Sequence, residues 1–114
     1  MYEYKVKEIK NIYDGDTMIV LIDLGFGVYK TEKIRLAFID APELRGEEHD
    51  DGILSRDFLR ERMQNAIDNK QLITITTLKD RKGKYGRYLG EIFIDGVSIN
   101  KELVQLGLAA EYKK

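Results

Sequence analysis

Residues 17–43 read TMIVLIDLGFGVYKTEKIRLAFIDAPE, and how this stretch divides decides the fold. Residues 17–24 are almost continuously apolar and β-branched, and 28–39 alternate polar with apolar, so each predicts a strand. Gly25 and Gly27 flank Phe26 between them. Glycine takes positive φ without strain, so this triplet predicts a hairpin. Residues 4–12 also alternate, which adds a first strand and makes a three-stranded meander. In the third strand Ile34, Leu36 and Phe38 are expected on the core face, with Lys33, Arg35, Ala37 and Ile39 on the other. Pro42, the single proline, fixes its own φ and holds Ala41 extended, so Asp40 and Glu43 flank a stiff corner at the strand exit.

Beyond the corner, the acidic run LRGEEHDDG at 44–52 predicts a mobile surface loop. ILSRDFLRERMQNAID at 53–68 predicts a helix with Phe58, Leu59, Met63, Ala66 and Ile67 on one face and Arg56, Arg60 and Gln64 on the other. Strands follow at 71–78 and 87–94, the second ended by an Asp95-Gly96 turn. A short helix over 100–109 has Asn100 as N-cap and Gly107 at the C′ position. The expected class is therefore α+β, mainly β: a five-stranded OB-fold barrel with one long helix between strands 3 and 4 and a short C-terminal helix. A small α+β sheet of another topology fits the same order of elements. With 114 residues, 43% of them hydrophobic, and no repeat or linker, residues 1–114 are expected to form a single domain.

Composition narrows the chemistry. The 19 Lys and Arg nearly cancel the 20 Asp and Glu, so any nucleic-acid contact must be a local patch rather than a global field. The absence of cysteine excludes disulfides, thiol catalysis and thiolate metal sites, and one histidine excludes mechanisms that need several imidazoles. Oxygen-ligated hard cations remain open. MYEYKVKEIK lacks the apolar core of a signal peptide and no stretch reaches membrane-spanning length. The expectation is a cytoplasmic protein without a membrane partner, or a secreted one if a leader has been removed.

Three motifs carry charge in a form chemistry can use. Asp14-Gly15-Asp16-Thr17 places two carboxylates around a glycine between the first two strands, but without the glycine and ligand spacing of an EF-hand. If this turn meets the corner at Asp40, three or four carboxylates converge. Each pair would repel by roughly 1 kcal/mol at 4 Å in water and about 4 kcal/mol near a protein surface, so the cluster calls for a shared proton or a cation, calcium or magnesium being the natural occupant. Arg35 points away from the apolar row. KDRKGKYGRYLG at 79–90 interleaves basic residues with glycines and tyrosines, a pattern suited to a phosphate and a stacked base. A strand-exit turn, a hairpin and a solvated loop would each explain one motif alone. Gly25-Phe26-Gly27 lacks the third glycine of a dinucleotide loop, His49 reads as a loop residue, and Glu8-Ile9-Lys10 lacks the acidic partner of a nuclease E-x-K element.

Together, IYDGDT at 12–17, IRLAFIDAPE at 34–43, KYGRYLG at 84–90 and INKELVQLGLA at 99–109 resemble the four signature segments of the staphylococcal nuclease-like, or thermonuclease, family, in order and at matching separations. The resemblance implies an OB-fold, calcium-dependent nuclease acting on RNA and on single-stranded or locally open DNA, and no feature of the sequence requires more than a monomer. It implies cleavage of the P–O5′ bond, leaving 3′-phosphates and 5′-hydroxyls. By the family pattern Asp16 and Asp40 would hold Ca²⁺ through carboxylates and Ala41 through its carbonyl, Glu43 would orient or deprotonate water, and Arg35 and Arg87 would hold the phosphate. Lys84 and Tyr85 match positions that contact a nucleotide phosphate, Leu89 one that lines the base pocket, and Tyr112 a stacking tyrosine. Ala41 stands where the family usually has threonine. The acidic loop at 47–51 departs from the more basic loop of the best-known member and implies weaker, more salt-sensitive binding. Two other readings remain: a non-catalytic OB-fold module that binds nucleic acid or protein, and a structural calcium-binding domain.

Overall fold

The protein is described here by a computed structural model covering residues 2–82 and 88–112. Strands β1 (Tyr2–Asp14), β2 (Thr17–Asp23) and β3 (Tyr29–Leu36) form the expected meander. β2 and β3 pair without interruption from Thr17↔Arg35 to Asp23↔Tyr29. β1 does not simply alternate. Its inward residues Val6, Ile9 and Ile12 recur every third position, and β1 carries an extra residue against β2 at shifts between Val6 and Glu8, Ile9 and Asn11, and Ile12 and Asp14. A bulge spends two residues where its partner spends one, so a period of three still lines the core, and the strand bends as it does so. The start of β1, Tyr2–Lys5, pairs with β5 (Ile73–Lys82), and Lys5 meets both β5 and β2.

The barrel runs β3-β2-β1-β5-β6, with β6 at Tyr88–Ile94, and closes through parallel pairing of Ile34–Leu36 with Tyr88–Gly90. This is the expected five-stranded OB-type barrel, with one parallel seam. Short pairs complete it: β4 (Ile39–Asp40) with β8 (Ala110–Glu111), and β7 (Val97–Ser98) with the end of β6. Helix α1 (His49–Asp68) lies between the third and fourth barrel strands in the chain, and α2 (Ile99–Gln105) precedes β8. Met18, Val20, Ile34 and Leu36 fill the core from the meander, Ile75 and Ile92 from the other strands, and Leu59, Met63, Ile99 and Leu103 from the helices. Each such side chain contributes roughly 1.5–3 kcal/mol by leaving water. Among the described residues no helix is long and apolar enough to cross a membrane.

Several boundaries differ from the sequence reading. The run expected as a loop at 44–52 is a 3-10 turn, Gly46–Glu48, leading into α1 at His49. Glu47, Glu48, Asp50 and Asp51 crowd the start of the helix, where negative charge complements the unpaired N–H groups, so the acidic run marks a helix start. Ile67 is exposed, and the buried stripe of α1 is Gly52, Ser55, Leu59, Met63 and Ala66. β3 stops at Leu36, and Phe38 takes a φ of 69° and turns outward while Ala37 and Ile39 are buried. The Ala37 N–H is engaged by the Gly90 carbonyl at 2.8 Å across the seam, so the chain leaves the sheet through one left-handed residue and re-forms as β4. β5 spans Ile73–Lys82 rather than 71–78, and β6 is described from Tyr88.

The N-cap of α2 is Ser98, whose Oγ accepts the Lys101 N–H at 3.2 Å, and not Asn100. Asn100 is buried and ties the seam together. Its Oδ1 accepts the Ile92 N–H at 3.1 Å and its Nδ2 donates to the Ala37 and Gly90 carbonyls at 2.9 and 3.1 Å. Gly107 does occupy the C′ position with φ 73°, its N–H meeting Val104 O at 3.0 Å while Leu108 N–H meets Leu103 O at 2.9 Å.

Candidate active site

The site is built where the β1–β2 turn, the exit of β3 and the start of α1 meet. Asp14 Oδ1 accepts the Asp16 N–H at 3.0 Å and closes the turn at the level of the Asp14↔Thr17 pair. A Cβ on Gly15 would lie 2.8 Å from the Cβ atoms of both Ala41 and Ser55, so only glycine lets the turn press between the corner and the helix. That contact delivers Asp16 to the corner. Its Oδ2 accepts the Ala41 N–H at 2.8 Å, its Oδ1 accepts the Thr17 hydroxyl at 3.1 Å, and the residue is 7% exposed. Burial, then the side-chain hydrogen bond with Asp14, pushes the Asp16 carboxyl up to about 6, while the Ala41 N–H and Arg35 pull it the other way.

Arg35 is the joint of the arrangement. Its Nη1 donates to the Leu36 carbonyl at 2.8 Å, and its Nη2 lies 3.2 Å from Asp40 Oδ1 and 3.4 Å from Asp16 Oδ2. One guanidinium nitrogen therefore sits between carboxylates from two different turns, with the Arg35 side chain 17% exposed and that of Asp40 63%. Across the seam Leu89 pairs directly with Arg35 and is partly exposed, so two of the expected substrate contacts are neighbours. Such an edge, fixed on one side by backbone and bearing two donors, suits a planar anion.

The expected convergence of turn and corner occurs, but as a pair of carboxylates on one arginine. Among the described residues no three acidic, histidine or cysteine side chains gather into a metal-sized group. Glu43 is exposed at the corner, and its N–H donates to Glu48 Oε1 at 3.3 Å. Its carboxylate makes no hydrogen bond or ion pair with another described residue. A Cβ on Gly52 would collide with the Glu43 carbonyl oxygen, so the first turn of α1 seats the corner from below. Tyr112 donates its N–H to Phe38 O at 2.7 Å and flanks a groove of about 700 Å³ between β4 and α2. No hydrogen bond or ion pair joins its side chain to Arg35, Asp16 or Asp40. Lys84, Tyr85 and Arg87 lie outside the described residues.

Reasoning from the sequence missed the Leu36 carbonyl that fixes Arg35 and the pair Gly52 and Ser55 that seats the two turns. Ser55 Oγ also donates to the Leu108 carbonyl. Two small residues three apart at a helix start were the available signal of close approach.

The family model described as staphylococcal nuclease homologue matches residues 33–114. No curated protein matches the chain. The matched span contains Arg35, Asp40, Ala41 and Glu43 and begins after the β1–β2 turn. Asp16 therefore joins the site through its bond to Ala41 and its contact with Arg35, independently of the match.

Proposed function

Because this chain belongs to the staphylococcal nuclease homologue family, as an OB-type barrel of it, we propose that it is a calcium-dependent nuclease that hydrolyses phosphodiester bonds in DNA and RNA and acts as a monomer. The observation that supports this reading best is the single Arg35 nitrogen held between Asp16 and Asp40, at the mouth of the barrel seam.

The donor set fits a hard cation. Carboxylate oxygens of Asp16 and Asp40 from two different turns lie 3.4 and 3.2 Å from the same Arg35 nitrogen, so they converge on one position that favours positive charge. Asp16, Asp40 and the Ala41 carbonyl would hold Ca²⁺, which takes oxygen ligands of this kind and supplies neutralisation of charge on the phosphoryl oxygens. Arg35 keeps Nη1 on the Leu36 carbonyl and turns its Nη2 edge to a non-bridging phosphate oxygen, with Arg87 as the second cation. Glu43, whose carboxylate is open to solvent, takes a proton from the attacking water. The new P–O bond forms as the P–O5′ bond breaks, and O5′ acquires a proton from water, giving a 5′-hydroxyl and a 3′-phosphate. Lys84 and Tyr85 hold the phosphate, Leu89 borders the base and Tyr112 stacks on it.

Single-stranded DNA incubated with calcium or with chelator tests the proposal. Cleavage is expected only with calcium, with 3′-phosphate ends, and both Arg35→Ala and Glu43→Ala lower it by roughly 10²–10⁴. Binding without cleavage across the pH range would leave the non-catalytic module as the answer.

A further inference from the structure

The face of the meander that carries Arg35 continues well past the site. Along β3 the register sets Arg35 opposite Thr17, Lys33 opposite Ile19, Thr31 opposite Leu21 and Tyr29 opposite Asp23, so these residues share one side of the sheet. The bulges of β1 add Lys7 and Tyr13 to that side. Lys33 Nζ lies 5.3 Å from the centre of the Tyr13 ring, and Lys7 Nζ lies 6.0 Å from that of Tyr29, both reaching across β2. The result is a repeated unit, one lysine with one tyrosine, laid out twice in line with Arg35. Tyr13 and Tyr29 are each more than two-fifths exposed.

Several carboxylates on the same strands have local partners, Glu32 among them, 2.8 Å from Lys30. Glu8 lies 3.9 Å from Lys10, Asp14 accepts the Asp16 N–H, and Asp23 accepts the Gly25 N–H at 2.8 Å. In a chain of net charge −1, Lys7, Lys33 and Arg35 on this side of the sheet outnumber Asp23, the carboxylate paired there opposite Tyr29, which is a local excess of positive charge of the kind a nucleic-acid strand needs.

We propose that this face is a track for a single nucleic-acid strand, running from the phosphate at Arg35 along β3 towards the β2–β3 hairpin. A nucleotide offers one anion and one π-face, and each lysine–tyrosine unit offers the complement to both. Arg35 to Tyr29 is six residues of strand, about 20 Å, a length suited to the lower end of the roughly 4–16 nucleotides that an OB fold covers. The track rests on Arg35 being the phosphate-binding residue of the proposed nuclease site.

Fluorescence anisotropy in chelator, so that nothing is cleaved, tests it with a labelled dT8 and a labelled dinucleotide. The octamer should bind roughly tenfold or more tightly than the dinucleotide. Tyr13→Ala and Tyr29→Ala should each collapse that ratio by roughly tenfold, whereas Tyr13→Phe and Tyr29→Phe, which keep the ring, should preserve it. Lys7→Gln and Lys33→Gln should each lower the slope of log affinity against log salt by about 0.7. Equal affinity for the two lengths, or alanine variants that bind dT8 like the parent, would overturn the track. Because the measurement involves no turnover, the track survives if the protein proves non-catalytic. Calcium-dependent cleavage with no length dependence would sink the track and leave the nuclease.

Discussion

β2 ends in two glycine turns that look alike in the sequence and differ in kind. At Asp14–Thr17 the glycine is needed for space, because a Cβ would strike Ala41 and Ser55 at 2.8 Å, and the turn carries a carboxylate that is almost entirely buried. At Leu24–Val28, Gly25 and Gly27 have φ of 85° and 73°, with nothing within 4 Å of a Cβ at either, and Phe26 between them is fully exposed. One turn is held by distant neighbours and the other only by bonds within the hairpin itself, including the Gly25 N–H to Asp23. The held turn positions charge, and this is why the proposed chemistry sits at that end of the strand.

The comparison breaks most sharply in activity. Replacing Arg35 by lysine keeps a positive charge but loses the two-donor edge, so cleavage should fall by roughly 10²–10³, while Phe26→Ser at the open turn should leave the rate unchanged. Steady-state kinetics on single-stranded DNA measures both.

Next comes the charge inside the held turn. The folded-state pKa of Asp16 is raised from 3.8 to about 6, so the stabilisation of its protonated form is complete below about pH 4 and is lost as pH rises through 6. Asp16→Asn carries no such cost. In chelator it should unfold like the parent near pH 4 and be more stable by on the order of 2–3 kcal/mol at pH 8, as read by urea denaturation, even as it loses cleavage. By the same sign, calcium affinity of the parent should weaken as pH falls through about 6, which titration calorimetry reads directly.

The two glycines separate by a smaller margin. Gly15→Ala forces a methyl against two Cβ atoms that cannot swing away and should cost about 1–3 kcal/mol. Gly25→Ala meets no neighbour and should cost only the left-handed backbone strain, about 1–2 kcal/mol, with no loss of calcium binding.

The same contrast explains what could be read from residues in order. The meander, the hairpin at Gly25 and Gly27, the stiff corner at Pro42 and the outward Arg35 all rest on local signals, namely periodicity, turn chemistry and a proline, whereas the meeting of Asp16 with that corner was only a condition until the fold supplied it. What escaped depended on distant partners. Val6, Ile9 and Ile12 serve one face only because β2 accepts bulges opposite them. Phe38 leaves the core row because Ala37 is bonded to Gly90 across a seam 53 residues away. Asn100 looks like a cap and is instead the buried bond between that seam and β6, a role set by three backbone groups from elsewhere in the chain. The acidic run at 47–51 read as solvated loop because charge alone does not distinguish a loop from the start of a helix.

The central claim is that Asp16, Asp40 and Arg35 make one site where a cation and a phosphate meet. Thermal unfolding with calcium, with a nucleoside 3′,5′-bisphosphate, and with both together tests it most directly. The expected result is a shift with both that exceeds the sum of the separate shifts, with Arg35→Ala removing the bisphosphate contribution and keeping the calcium one. A calcium shift that the bisphosphate does not enlarge would contradict the claim and make the cation structural.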